Sequence, residues 1–251
     1  MAFCRPVNEA VQQNGQAARR ARLSRGGVAR ALAAAACDPT HMSQLLERAE
    51  YLLSAHNARQ LPDDVGAEVA FAGRSNAGKS SALNALTRRN ALARVSKTPG
   101  RTQQLVFFRV TPEAHLVDLP GYGYAKVPLE LQAHWQAFID RYFRNREALK
   151  GLVVVMDIRH PLKDYDLQML GYAVERGLPA HALLTKADKL GRGQQMQTLQ
   201  KVKKELSSRF GDTVSVQTFS SESRQGVDEA RQIIGGWLGL GAPAAPAEPT
   251  A

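Results

Sequence analysis

Eight consecutive residues limit what this chain can fold into more than any bulk property does. Gly73-Arg74-Ser75-Asn76-Ala77-Gly78-Lys79-Ser80 spells G-x-x-x-x-G-K-S. The apolar run Glu68-Val69-Ala70-Phe71-Ala72 before it suits a buried strand, and Ser81-Ala82-Leu83-Asn84-Ala85-Leu86 after it suits a helix. Strand, glycine loop and helix, in that order, form the setting in which such a pattern cradles phosphate. Backbone N–H groups between Gly73 and Ser80 then converge on an anion at the helix N-terminus. Lys79 reaches the β and γ phosphates in that geometry, and the Ser80 hydroxyl ligates Mg²⁺. The plainer alternative is a chance Gly-rich turn with one Lys, and the flanking elements weigh against it.

The rest of the chain alternates strand and helix signals around that loop. Gln104–Val110 and Ala114–Asp118 read as a strand pair turning at Thr111-Pro112-Glu113, and Leu131, Trp135, Phe138, Ile139 and Tyr142 recur at helical spacing. Gly151–Asp157 is an unbroken apolar run, the mark of a central strand covered on both faces. Ala180–Leu184 and Thr213–Phe219 continue the strands, with helical stripes through Leu167–Val174, Met196–Phe210 and Val227–Trp237. Ahead of the first strand, Leu45, Leu46, Ala49, Leu52 and Leu53 are spaced for one helix. The expectation is a doubly wound α/β sheet of six mostly parallel strands, with one antiparallel edge strand and helices on both faces.

Residues 1–42, rich in Ala and Arg, are expected to be a disordered extension, 43–240 one domain, and the Pro/Ala-rich 241–251 a disordered tail. The early arginines argue against a secretion signal, and an Arg-rich organelle transit peptide stays a minor alternative. No run of eighteen apolar residues exists, so no transmembrane helix is read. Cys4 and Cys37 are the only cysteines, which suggests neither a disulfide framework nor a zinc site and fits a reducing compartment. The formal net charge of +10 is compatible with acidic partners such as RNA and equally with a protein that is basic without such a partner.

A phosphate loop alone does not separate ATP from GTP; segments at the ends of later strands do, because ligands of open α/β sheets sit there. In Asp118-Leu119-Pro120-Gly121 the Asp can hold the Mg²⁺ hydration shell and the Gly N–H can touch the γ-phosphate. In Thr185-Lys186-Ala187-Asp188 the carboxylate of Asp188 can accept from the guanine N1–H and 2-amino group, a pair adenine lacks. Lys186 would lay its aliphatic stem along the base. The commoner form of this motif begins with Asn. In Phe219-Ser220-Ser221 a backbone N–H could donate to guanine O6, although Ser after a strand is also ordinary turn chemistry.

Taken together, Gly73–Ser81, Ser96–Gln103, Val117–Tyr124, Met156–Asp164 and Leu184–Lys189 resemble the EngB (YihA/YsxC-like) family, a bacterial branch of the translation-factor-related P-loop GTPases, across residues 44–240. Thr at position 185 is usual in that family. The resemblance implies that Thr102 is the Mg²⁺-binding switch threonine and that Gly100, Arg101, Thr102, Gln103 and Gln104 line the nucleotide. Spacing alone leaves Thr98 and Thr102 open. The resemblance also implies GTP and GDP as ligands and a cytoplasmic role in late assembly of the large ribosomal subunit, bound through its rRNA. It further implies a link to cell division and septation.

Hydrolysis is expected to be water attack on the γ-phosphate, served by Lys79, Thr102, Gly121 and Asn76 with Mg²⁺ rather than by a side-chain base. Segments 90–104 and 118–128 should differ between the GTP and GDP states. Tyr122 stands where Ras-like enzymes carry a water-orienting Gln, so unassisted turnover should be slow. Asn76 matches a position that binds K⁺ in related GTPases; its alternative role is to shape the loop. The expected state is a monomer without a membrane partner. Lys126, Arg141, Arg144, Arg146, Lys201, Lys203 and Lys204 are the candidates for RNA contact, and Asp157–Asp164, including His160, reads as turn and helix-start chemistry with a potential for partner contact. The rivals are a GTP-loaded docking module that scarcely turns over and an ATP-dependent kinase.

Overall fold

The computed structural model describes residues 39–93, 104–121 and 129–241. Gly100 to Gln103, Thr98, Tyr122, Lys126, the arginine-rich start and the tail from 242 lie outside them. In chain order the elements are α1 (Pro39–Glu47), β1 (Glu50–Ala55), β2 (Ala67–Gly73), α2 (Lys79–Thr87), β3 (Leu105–Thr111), β4 (Ala114–Asp118) and α3 (Leu129–Asn145). Then follow β5 (Leu149–Asp157), α4 (Asp164–Glu175), β6 (Ala180–Thr185), α5 (Arg192–Phe210), β7 (Val214–Thr218) and α6 (Val227–Trp237).

The strands make one sheet in the order β1-β3-β4-β2-β5-β6-β7. Pairing is parallel from β4 through β2, β5 and β6 to β7. It is antiparallel between β3 and its two neighbours, β4 and β1. The expected mostly parallel sheet is therefore present, with its antiparallel pairing confined to one margin. It has seven strands rather than six. The extra strand is β1, formed by residues whose spacing predicts the continuation of a helix. α1 stops at Glu47, and Glu50–Ala55 pairs with β3 from Glu50↔Arg109 to Ala55↔Leu105. A ladder of hydrogen bonds to a strand more than fifty residues away outweighs a local helical period. The Arg109 guanidinium on Glu50 Oε1 at 2.5 Å reinforces that register.

Alternate strand residues serve opposite faces. Ala70 and Ala72, Leu152, Val154 and Met156, and Ala182 and Leu184 join one apolar layer with Phe143 of α3, Leu170 of α4 and Leu206 of α5. A Cβ on Gly151, out of phase with Leu152, would lie 2.3 Å from the Trp237 ring, which puts α6 on the other face. There α1, α2 and α6 pack on one another. Helices thus cover both faces, and β2, β4, β5 and β6 all deliver their carboxyl ends to one edge.

Far from that edge, a buried ion pair joins β2 to the end of α3. Glu68 is fully buried and receives the Arg146 guanidinium at 2.5 Å and the Tyr142 hydroxyl at 2.8 Å. Arg146 also donates to the carbonyls of Pro62 at 2.8 Å and Asp63 at 3.0 Å. Arg146 is therefore not available to RNA, contrary to the sequence expectation: all of its donors face protein acceptors. Arg144 is exposed but paired with Asp140 at 2.9 Å, one helical turn back. Glu68→Ala strands a buried guanidinium and is expected to cost about 3–5 kcal/mol in urea unfolding; a loss below about 1 kcal/mol would show the pair to behave like a surface one.

A second buried polar link joins β6 to β7. His181, 1% exposed, meets Ser215 Oγ through Nδ1 at 2.7 Å and Gln217 Oε1 through Nε2 at 2.9 Å. Burial pushes the imidazole down to about 4, against the opposing effect of Gln217. The unfolded chain therefore takes up a proton between pH 6.5 and 4 that the fold refuses. Stability is whole above pH 6.5 and falls as the pH drops through that window, by up to about 3 kcal/mol. Unfolding midpoints of wild type and His181→Gln should diverge in slope over pH 6.5–4.5, the variant being flatter; parallel curves would remove the histidine from the acid response.

Candidate functional site

The glycine loop leaves β2 at Gly73 and enters α2 at Lys79. Asn76 (φ 62°) and Gly78 (φ 98°) both turn through the left-handed region, which Gly78 occupies without a Cβ penalty. The Ala77 N–H closes on Arg74 O at 3.0 Å, and α2 begins with the Ala82 N–H on Gly78 O at 2.8 Å. The first-turn amides of α2 have no acceptor within the helix, and its dipole adds positive potential in front of them. Arg74 and the Asn76 side chain are exposed, while Ala77 is buried.

β4 runs parallel to β2 and carries its own loop to the same place. The Leu119 N–H donates to Phe71 O at 2.9 Å, extending the pairing by one residue. A Cβ on Gly121 would stand 3.3 Å from Ser75 N, so the Asp118-Leu119-Pro120-Gly121 turn lies close against the phosphate loop and any side chain there would press on it. Lys79 Nζ is ion-paired with Asp118 Oδ1, the two side chains being 10% and 15% exposed. Burial raises the Asp118 carboxyl above its ordinary range, and Lys79 pulls in the opposite direction. Gln104 stands one residue before β3, where Val106 faces Asp118. The Asn84 side chain of α2 takes both backbone groups of Ala93, at 2.9 and 3.0 Å.

β6 brings the third segment. Thr185 is buried, and its hydroxyl lies 2.5 Å from the Ala77 carbonyl and 3.0 Å from that of Met156. It thereby ties this segment to the phosphate loop with a single oxygen, which explains why an amide is not required at position 185. Lys186, in the left-handed region at φ 58°, donates to the Asn76 carbonyl at 2.6 Å and meets Asp157 Oδ2 at 3.1 Å. Asp157 also accepts from the Arg159 guanidinium at 2.6 and 2.9 Å. Arg159 first, and then Lys186, hold the Asp157 carboxyl well below the usual range. This role of Asp157 escapes sequence reasoning, because the motif read there is turn chemistry; the His160 N–H on Asp157 O at 2.9 Å is that turn.

Asp188 sits on a short 3-10 turn, Ala187–Lys189. Ser220 Oγ donates to Asp188 Oδ1 at 2.6 Å and Lys189 Nζ lies 2.9 Å from Oδ2, and these two lower its pKa. The fully buried Ser220 therefore acts through its hydroxyl. Its N–H is engaged by Gln225 O at 3.0 Å and that of Phe219 by Leu184 O at 2.8 Å. Of the three amides in the Phe219-Ser220-Ser221 expectation, those of Phe219 and Ser220 are thus engaged within the protein, which leaves that of Ser221 as the candidate donor. Among the described residues no group of three or more His, Cys, Asp or Glu could hold a metal ion. A cation here would draw on hydroxyl and phosphate oxygens, as Ser80 in the first turn of α2 and the nearly buried Asp118 allow.

Comparison with known proteins agrees with this geometry. Residues 68–186 match the family model described as 50S ribosome-binding GTPase. A probable GTP-binding protein EngB of Xanthomonas axonopodis pv. citri is 85% identical over 210 residues, covering 83% of this chain and 98% of the relative. Its counterpart in Stenotrophomonas maltophilia is 85% identical over 199 residues, covering 79% and 100%. Among solved structures, a probable GTP-binding protein EngB superposes with a TM-score of 0.55 at 20% identity, over 68% of this chain and 98% of that one. Era in complex with MgGDPNP and nucleotides 1506-1542 of 16S ribosomal RNA gives 0.53 at 20% identity, over 73% and 60%. At that identity both structures speak for the fold. With the phosphate loop, its aspartate neighbour and the Thr185–Asp188 segment gathered on one sheet edge, the chain belongs to the EngB family of GTP-binding proteins and is a P-loop GTPase.

Proposed function

We propose that this GTPase is a Mg²⁺-dependent switch that hydrolyses GTP to GDP and phosphate during assembly of the large ribosomal subunit in the cytoplasm, acts as a monomer, and is needed for normal cell division and septation. The observation that carries this reading is the meeting of Lys79, Asp118 and Gly121 at the phosphate end with Thr185, Lys186 and Asp188 at the base end. When a triphosphate enters, Lys79 exchanges Asp118 for the β and γ oxygens, and the loop amides and the Gly121 N–H take the remaining charge. Mg²⁺ would be held by Ser80 and Thr102, with Asp118 on its hydration shell, and would neutralise charge between the β and γ phosphates. Asp188 accepts from N1–H and the 2-amino group, and the Ser221 N–H faces O6.

A family model described as ribosome-binding, and the exposed Lys201, Lys203 and Lys204 on α5, support the ribosomal part. Co-sedimentation tests it: the full chain should pellet with large subunits in a non-hydrolysable GTP analogue and stay in the supernatant in GDP. Equal pelleting in both, or in neither, contradicts the switch. The exposed Asn76 is the proposed K⁺ contact. Exchange of K⁺ for Na⁺ should slow single-turnover hydrolysis about tenfold or more, because a cation there adds charge to the transition state; an indifferent rate leaves Asn76 as a loop-shaping residue.

A further inference from the structure

We propose that Gln195 and Gln225, which touch neither phosphate nor base, are positioning residues that set guanine recognition by clasping two loops together. The base site draws on two separate segments: Asp188, after β6, and Ser220-Ser221, after β7. Guanine makes its full set of contacts only when the spacing between those segments is right. Backbone pairing runs on only a little past the strands, through the Phe219 N–H on Leu184 O at 2.8 Å and the Ala187 N–H on Phe219 O at 3.1 Å, and stops short of Asp188 and Ser220-Ser221 themselves.

The clasp starts at the first turn of α5. Gln195 Nε2 lies 2.9 Å from the Ala187 carbonyl and 2.9 Å from that of Leu190, the two carbonyls that bracket the Asp188 turn. On its other side Gln195 Oε1 accepts from Gln225 Nε2 at 3.0 Å. The same Gln225 nitrogen reaches Thr218 Oγ1, the last residue of β7, at 3.0 Å. The Gln225 carbonyl receives the Ser220 N–H at 3.0 Å, and Ser220 Oγ donates to Asp188 Oδ1 at 2.6 Å. The path is a closed ring: Asp188, its turn, Gln195, Gln225, Ser220 and Asp188 again. Within it the Gln195–Gln225 bond alone joins the α5 side chain to the β7 loop, and the exposed position of Gln225 lets the pair open without disturbing the core.

This inference rests on the base-site reading above and adds what fixes it. Loosening the ring costs a ligand that needs the full set of contacts more than one that needs fewer. Inosine diphosphate lacks the 2-amino group and asks less of Asp188. Dissociation constants for GDP and IDP, measured by titration calorimetry on the full chain, therefore separate positioning from general damage.

Gln195→Ala and Gln225→Ala should each raise the GDP constant about fivefold, the net worth of one hydrogen bond, and the IDP constant less than twofold. The double variant should be no weaker than the weaker single one, because the Gln195–Gln225 link that closes the ring is broken in all three. Gln195→Glu keeps the acceptor for Gln225 but sets a carboxylate oxygen against the Ala187 and Leu190 carbonyls, which breaks the ring at its other joint, and it should bind GDP at least as weakly as Gln195→Ala. The turnover rate at saturating GTP should not move, since the clasp lies away from the γ-phosphate. A GDP constant within twofold of wild type in both single variants, an equal rise for GDP and IDP, or additive losses in the double variant overturns the proposal. Asp188→Asn, run alongside, keeps the two ideas apart. If it leaves guanine preference intact, the base site itself is misread; if it shifts preference and the glutamines do not, the clasp alone fails.

Discussion

Asp188→Asn is expected to lower GTP affinity about a hundredfold and to raise that for xanthosine triphosphate, reversing the order of the two nucleotides. The carboxylate offers acceptors to both guanine donors. An asparagine there keeps one acceptor and turns the other into an NH₂ group that faces the 2-amino group. One hydrogen bond is lost and a donor is left against a donor, together worth about 3 kcal/mol, or two decades in affinity. Xanthine carries a carbonyl at that ring position and accepts what asparagine donates. The variant should fold normally, because the introduced amide would keep an oxygen for the Ser220 hydroxyl that now donates to Asp188 Oδ1 at 2.6 Å. Competition between GTP and xanthosine triphosphate for the purified variant reads the result directly. Unchanged GTP selectivity would take Asp188 out of base recognition.

Lys79→Ala should do more damage to turnover than any other single change. Lys79 is nearly buried and is the ion-pair partner of Asp118 among the described residues. Its removal has two consequences. The β and γ oxygens lose a charged donor in the transition state, a loss of about 10²–10³ in rate for one preorganised donor. Asp118 also loses the cation that opposes its burial, so the carboxyl that faces the metal-binding region rises further above its ordinary range. Single-turnover phosphate release from a pre-formed GTP complex should fall by that factor. A rate within tenfold of wild type would mean that Lys79 serves the resting ion pair and not the chemistry.

The parts of the site that could be read from the sequence are those whose partners sit beside them in the chain. Gly73–Ser80, Asp118–Gly121 and Thr185–Asp188 each hold their chemistry within eight residues or fewer, and each lies at the strand end that periodicity predicts. What escaped is set by partners far away. β1 looks helical until β3 is available to pair with it. Arg146 looks like surface charge until Glu68, 78 residues back, is folded onto it. Lys186 reaches Asp157 from the neighbouring strand, and nothing in the run Asp157–Asp164 announces that contact. Each of these depends on a tertiary partner rather than on local pattern, which is why residue type and spacing gave no warning.

A calorimetric titration of the pure chain in Mg²⁺ with GDP, a GTP analogue and ATP tests most directly whether one guanine nucleotide is held at the carboxyl edge of this sheet. Saturable one-site heat for both guanine nucleotides, with ATP silent at the same concentrations, is the expected result. No heat for either guanine nucleotide, or heat from ATP equal to theirs, would contradict it.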